Sequence, residues 1–396
     1  MAAVVHDLLR RLYDEAAEGP RSLFILLLPL LFLVLLPLLF LRRFVESTAS
    51  PGDDRLLSKL PSPPNKLPII GHLHLMGSFP PISLAALAAK HGPDLMLLRL
   101  GTVPTVIASS PRAAEAILRT HDHVFASRPR SMVAEVVIYG QSNSCYSPYG
   151  DHFRKVRKVV TVQLQESPGI PPGQGGGGSA EDDADTDLLD MFEAGTDTSY
   201  STLDVAMAEL MRKPEAMAKL QAEVRRMVPT KGQEMVTESD LPTMTYLKAV
   251  IKETLRLHPA APLFVPHLSM EACEIDGYTI PSGTRVMVNA WAIGRLSACW
   301  DNPHEFIPER FMDGNNDVDL KGKTDFRYVP FGAGRRMCPG IHAAAATLEI
   351  MLANLVYRFD WELPAGVRKE DIDMTEVFGL TVHRKDKLLL VPKPAW

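Results

Sequence analysis

Apolar positions fall into distinct regimes along the chain. Leu23 to Leu41 is an unbroken run of 19 apolar or proline positions, about 28 Å as a helix, close to the thickness of a bilayer core. The run is long for the apolar part of a cleaved signal and Arg42 and Arg43 follow it directly, so it reads as a membrane anchor. Arg42, Arg43, Arg55, Lys59 and Lys66 outnumber Arg10, Arg11 and Arg21, which places the C-terminal body on the cytosolic side. Pro29 and Pro37 bend such a span without forbidding it. After Pro61 to Pro64 and an apolar patch at Leu67 to Leu73, the pattern becomes that of a globular body. Ser83 to Lys90 predicts a short helix, Leu95 to Leu100 and Thr105 to Ala108 a hairpin around Gly101, and Ser110-Pro111 the cap and first residue of another helix. Pro214 to Met227 predicts an amphipathic helix. Ser239-Asp-Leu-Pro242 opens a further helix that ends at His258-Pro259. Asp276-Gly277 marks a hairpin turn followed by a strand from Arg285 to Asn289. Leu348, Leu352, Leu355 and Phe359 share one face of a core helix, and Val377 to Thr381 begins a last hairpin. The predicted fold is mainly α with a smaller β part.

Composition changes this picture in two places. The chain of 396 residues, 46% hydrophobic and 22% charged, is long and apolar enough for a sizeable core. Its net charge of −5 argues against a nucleic-acid partner. Cys145, Cys273, Cys299 and Cys338 have no framework spacing, so they read as reduced thiols facing the cytosol. Pro168 to Ser179 is rich in glycine and proline and leads into an acidic run, Glu181 to Asp187. That composition buries nothing and predicts a flexible linker.

Candidate chemistry gathers around Phe331-Gly-Ala-Gly-Arg-Arg-Met-Cys-Pro-Gly340. Gly332, Gly334 and Gly340 permit backbone shapes closed to other residues, and Pro339 is placed to start a helix. A helix N-terminus, free amides and two neighbouring arginines favour thiolate at Cys338, which makes it a nucleophile or a metal ligand. No second Cys or His stands at cluster spacing, so a single axial thiolate on a haem iron fits better. Ala194-Gly-Thr-Asp-Thr198 puts a glycine and two threonines inside a helix, a poor choice for mere scaffolding. Arg154, Lys155, Arg157 and Lys158 lie within two helical turns and read first as a solvated basic face. Glu253 and Arg256 share a helix face, a pairing that by itself occurs often by chance.

Taken in order, these segments resemble the cytochrome P450 family, closest to its plant A-type microsomal members. Phe-x-x-Gly-x-Arg-x-Cys-x-Gly, with Phe331, Gly334, Arg336, Cys338 and Gly340, is similar to the family's haem-binding loop. The resemblance covers Pro61 to Val162 and Leu188 to Lys393. It implies haem b (iron protoporphyrin IX) with Cys338 as metal ligand, oxygen activation by Gly195, Asp197 and Thr198, and propionate contacts from Arg157 and His267. For His267 a solvent-exposed position is an equal alternative. Phe153 stands where the family has Trp, so a ring is kept and an indole donor lost. Glu253, Arg256 and Arg310 would form a buried charge triad supporting the loop.

The implied activity is that of a haem-thiolate monooxygenase hydroxylating a hydrophobic small molecule, of plant secondary-metabolite type. Dioxygen and electrons from NADPH, delivered by NADPH-cytochrome P450 reductase, would drive it at the endoplasmic reticulum membrane, with a single pass and the body in the cytosol. The implied organisation is an N-terminal segment and anchor (1–45), a proline-rich hinge (46–82), the first part of the haem domain (83–162), a linker (163–187) and the second part (188–396). Against the family's usual length, roughly a hundred residues or more, including several central helices over the substrate pocket, are absent at the linker. That absence leaves two alternatives: a membrane-anchored pseudo-enzyme with impaired haem or substrate binding, and a haem-thiolate isomerase or lyase that activates no oxygen.

Overall fold

A computed structural model of the chain describes residues 51–137, 141–165, 180–228, 233–312, 320 and 325–395. The predicted anchor at Leu23 to Leu41 and the glycine-rich linker at 166–179 lie outside these residues. No described helix is long and apolar enough to cross a membrane.

The N-terminal part runs α1 (Pro51–Leu57), α2 (Pro80–His91), β1 (Leu95–Leu100), β2 (Val103–Ala108), α3 (Pro111–Glu115), α4 (Met132–Val137) and α5 (Asp151–Gln165). The Ser110 hydroxyl accepts from the Ala113 N–H at 3.3 Å, so α3 begins with the predicted cap, and a π turn over Ala116–Thr120 continues it. The second part contains α6 (Ala180–Arg212), α7 (Pro214–Met227) and α8 (Thr245–Leu257). It continues with β3 (His267–Leu268), β4 (Cys273–Ile275), β5 (Tyr278–Ile280), β6 (Arg285–Val288), α9 (Ala290–Ile293) and α10 (Ile341–Arg358). Strands β7 (Phe359–Glu362), β8 (Glu376–Val377), β9 (His383–Arg384) and β10 (Val391–Pro394) complete it.

Four strands pair in the order β1-β2-β6-β3, with β2 and β6 parallel in the register Thr105 to Arg285 through Ala108 to Val288. The pairs β4-β5, β7-β10 and β8-β9 are separate antiparallel ribbons. At the β4-β5 turn Asp276 and Gly277 both have positive φ, 53° and 78°, the twist a two-residue hairpin needs.

Three expected boundaries move. The acidic run Glu181 to Asp187, expected in the linker, belongs to α6, consistent with carboxylates being favoured near a helix N-terminus. The helix opened by Ser239 is broken into a 3-10 turn at Leu241–Thr243 and α8. Its cap comes from outside: Glu223 on α7 accepts the Tyr246 and Leu247 N–H groups, each at 2.9 Å. Pro339 does not enter α10, which starts at Ile341 with Gly340 as its N-cap.

Two apolar cores flank the cysteine loop. Leu210, Leu220, Val224, Leu247, Val250, Leu352 and Val356 fill the space between α6, α7, α8 and α10. Leu95, Val106, Val286, Ile117, Phe125, Phe326 and Val329 form the second, against the four-stranded sheet. Phe331 packs on the first core and Ala333 belongs to the second. Burial of apolar surface on either side, at about 25 cal/mol per Å², therefore fixes the start of the loop.

Candidate functional site

The loop is held by glycine geometry at two positions. Gly332 and Gly334 both have φ of +67°, the left-handed region open to glycine. A Cβ on Gly334 would stand 1.9 Å from the Leu118 carbonyl oxygen, whereas one on Gly332 would meet nothing within 4 Å. Gly334 thus seats the loop on the π turn, and Gly332 faces open space. Gly340, with φ of −84°, uses no special conformation. The Cys338 N–H donates to the Phe331 carbonyl at 2.9 Å and closes the loop.

The arginines flanking this loop do not face the thiol as expected. Arg335 turns to Asp122, which accepts its N–H and its Nε, each at 3.1 Å. Arg336 donates to the carbonyls of Ala126 (2.5 Å), Ser144 (3.3 Å) and Ser147 (2.6 Å). Desolvation is the largest influence on Cys338 and pushes its thiol pKa above the ordinary value, while the Gly340 N–H and Arg157 pull it down. The protein alone therefore favours thiol, not thiolate.

Beside the loop lies a group of basic side chains, Arg128 and His267 buried and Arg157 and Arg336 half-buried. Arg128 donates to the carbonyls of Cys145 (2.9 Å), Val265 (2.6 Å) and Pro266 (3.0 Å). Arg157 donates to the Met337 carbonyl. His267 is buried, 4% exposed, with Nδ1 2.7 Å from the Phe125 carbonyl oxygen, which overturns the solvent-exposed alternative. Burial, followed by repulsion from Arg128, holds His267 down to about 3. Burial and the same neighbour lower Arg336 to about 9, and burial lowers Arg128 to about 10. Among the described residues no carboxylate pairs with Arg128, Arg157 or Arg336. Buried charge without a counter-ion is costly, so the cluster suits an anion supplied from outside.

Arg128 was missed in the sequence. Its only signal is the segment Phe125-Ala-Ser-Arg-Pro129, which has no spacing to distinguish it. Phe153, standing where Trp was expected, keeps a use for its ring: the Arg336 guanidinium lies 3.6 Å above its centroid, a cation–π contact.

On α6, Ala194, Gly195, Thr196 and Asp197 are exposed, and a Cβ on Gly195 would meet nothing within 4 Å. The Thr198 hydroxyl donates to the Ala194 carbonyl at 2.6 Å. Asp197 is its neighbour in the helix, and the hydroxyl's hydrogen bond goes to the Ala194 carbonyl. The α6 helix packs on both α5, which carries Arg157, and α10, which follows Cys338.

The charge triad forms as expected. Glu253 accepts from Arg256 Nε at 2.7 Å, from Arg256 Nη2 at 2.8 Å and from Arg310 Nε at 3.0 Å, with Glu253 and Arg256 side chains wholly buried. The Ile307 N–H adds a fourth donor at 2.7 Å.

A loop thiol, the open space at Gly332 in the same loop and buried or half-buried arginines without a carboxylate partner among the described residues are the donor set that a dianionic iron porphyrin would use, so the residues fit haem.

Comparisons with known proteins agree. The family model described as Cytochrome P450 matches residues 61–171 and 174–391, its one break falling inside the glycine-rich linker. The chain is 46% identical to an indole-2-monooxygenase of Zea mays, over 100% of both chains. It is 39% identical to a 3-hydroxyindolin-2-one monooxygenase of Zea mays, with 84% of this chain and 88% of that protein covered. The first alignment spans 540 positions against 396 residues here, a difference of 144. Among solved structures, a zebra fish cytochrome P450 with abiraterone superposes with a TM-score of 0.70 at 21% identity, covering 80% of this chain and 100% of that one. The chain belongs to the cytochrome P450 family.

Proposed function

We propose that the chain is a haem-thiolate monooxygenase acting on a small, hydrophobic, indole-type molecule. The observation that carries this is the pairing of the Cys338 loop with buried Arg128 and half-buried Arg157 and Arg336, which have no carboxylate partner among the described residues. Haem b, when bound, would supply dioxygen activation. Cys338 would ligate the iron once its thiol proton has left, while Arg157, Arg336 and His267 would meet the propionates. Gly195 would leave room over the iron, and Asp197 and Thr198 would hold and pass protons at their carboxylate and hydroxyl. The substrate class is suggested by relatives whose names specify indole, 3-hydroxyindolin-2-one and indolin-2-one.

Electrons would come from NADPH-cytochrome P450 reductase, for which the exposed Lys155 and Lys158 on α5 offer a basic docking face near the loop. The site of action would be the endoplasmic reticulum membrane, held by Leu23 to Leu41. Exposed Leu67, Ile69, Ile70 and Leu73 support a body resting on that surface. Reconstitution with reductase and NADPH tests this reading: hydroxylated indole should appear, and the reduced protein with carbon monoxide should show the band of thiolate-ligated haem. Absence of that band would sink the proposal.

The 144-position shortfall and the exposure of Ala194 to Asp197 favour one second reading, a shortened pseudo-enzyme that binds haem and turns over little. Under it the band forms and no hydroxylated product follows.

A further inference from the structure

Three ionisable side chains with little exposure meet where α8 ends, away from the cysteine loop. His258, the residue after α8, has Nδ1 2.6 Å from Glu376 Oε1 on β8 and Nε2 3.0 Å from Glu209 Oε1 on α6. The side chains of His258, Glu209 and Glu376 are 10%, 6% and 12% exposed. An ionised carboxylate only accepts hydrogen bonds, so each ring nitrogen must donate, and only the imidazolium carries two N–H groups.

Other charges face the group from each neighbouring element. Arg212 Nη1 lies 3.4 Å from Glu209 Oε2, and Lys213 follows it. Arg295, after α9, donates to the Leu257 carbonyl and feels Glu376 and Glu209 together with Arg256 and Glu253 of α8. Burial presses the His258 pKa down, and the two carboxylates outweigh it, leaving the value raised.

We infer that His258 is a positioning residue whose charged ring latches the β8-β9 hairpin onto α6. That hairpin has two residues per strand, too little pairing to hold a shape unaided. Its one other ion pair to α6 among the described residues is Arg384 with Asp204, at 2.8 Å. The latch sets where the hairpin places Val377 at the end of β8 and Phe378 and Leu380 in the turn, all exposed, with the Phe378 ring 6.1 Å from that of Phe79.

The sign follows from the raised pKa. The latch is complete below the ordinary histidine value of about 6.5 and is lost as pH rises through the higher folded value. Neutral imidazole keeps one N–H, so one carboxylate then faces a lone pair.

Hydrogen exchange of the full chain, read as protection factors for the amides of residues 374–386, tests this between about pH 6 and about pH 9. Protection should fall about tenfold across the His258 titration, while α10 shows no such step. His258→Gln should lie at the low level at every pH. Glu376→Gln, a milder change, should abolish the step and leave protection elsewhere intact, and it decides the matter if His258→Gln does not fold. A flat profile for the unaltered chain, or a step that survives Glu376→Gln, overturns the latch. The carbon monoxide band of the same sample reports separately on the monooxygenase reading, so a missing band with an intact step would sink that reading alone.

Discussion

The Cys338 thiol sits between opposing influences: desolvation raises its pKa, while the Gly340 N–H and the Arg157 guanidinium lower it, and the first dominates. With Cys338 as the proposed ligand, iron would take the thiolate, so a proton would have to leave when haem binds. Below the raised thiol pKa, the apparent affinity of the apoprotein for haem should therefore climb about tenfold per pH unit, with release of about one proton. Titration of apoprotein with haem at a series of pH values, followed by absorbance, checks this. An affinity flat between about pH 7 and about pH 8.5 would mean that the thiolate is already formed. The motif at 331–340 was legible because its glycines and cysteine act through local backbone shape. The state of the thiol was not, because Arg335 and Arg336 are drawn off by Asp122 and by carbonyls 189 to 213 residues away in sequence.

Among the elements, α8 shows how far a helix depends on distant partners. Its charge pair Glu253 and Arg256 could be found by spacing, but its cap could not: Glu223 reaches over from α7 to take two of its free amides. The Asp276-Gly277 hairpin and the Pro214 helix were legible for the converse reason, since their turn and start are set by residues inside them. His258 was read only as a helix end, because both of its carboxylates belong to other elements, 49 and 118 residues off. The triad itself is a stability device. Glu253→Gln would leave Arg256 and Arg310 buried against a neutral amide, at a cost of about 3 to 5 kcal/mol. Urea unfolding of the full chain should show that loss as a lower midpoint with an unchanged slope. A change below about 1 kcal/mol would place the triad among ordinary exposed pairs.

At the scale of the whole molecule, the Cys338 loop and the Gly195 segment of α6 are unequally covered. The loop side is packed between two cores, whereas Ala194 to Asp197 on α6 stand exposed, and the alignment with the maize relative leaves 144 positions unmatched. The shortening was legible from length and from the glycine-rich stretch. Its structural cost was not, because exposure of a helix face depends on what would have packed over it. In an enclosed apolar pocket each added phenyl ring of a ligand is desolvated on both faces, and at about 25 cal/mol per Å² this is worth tenfold or more in affinity. On an open helix face most of the ring stays in water and the gain shrinks accordingly. For the haem-loaded protein, imidazole, phenylimidazole and biphenylimidazole should therefore bind with dissociation constants within about threefold of one another. Difference-absorbance titrations measure this directly. A rise in affinity of about tenfold per ring would show that the distal side is closed over the ligand, and with it that this chain encloses a substrate pocket despite its length.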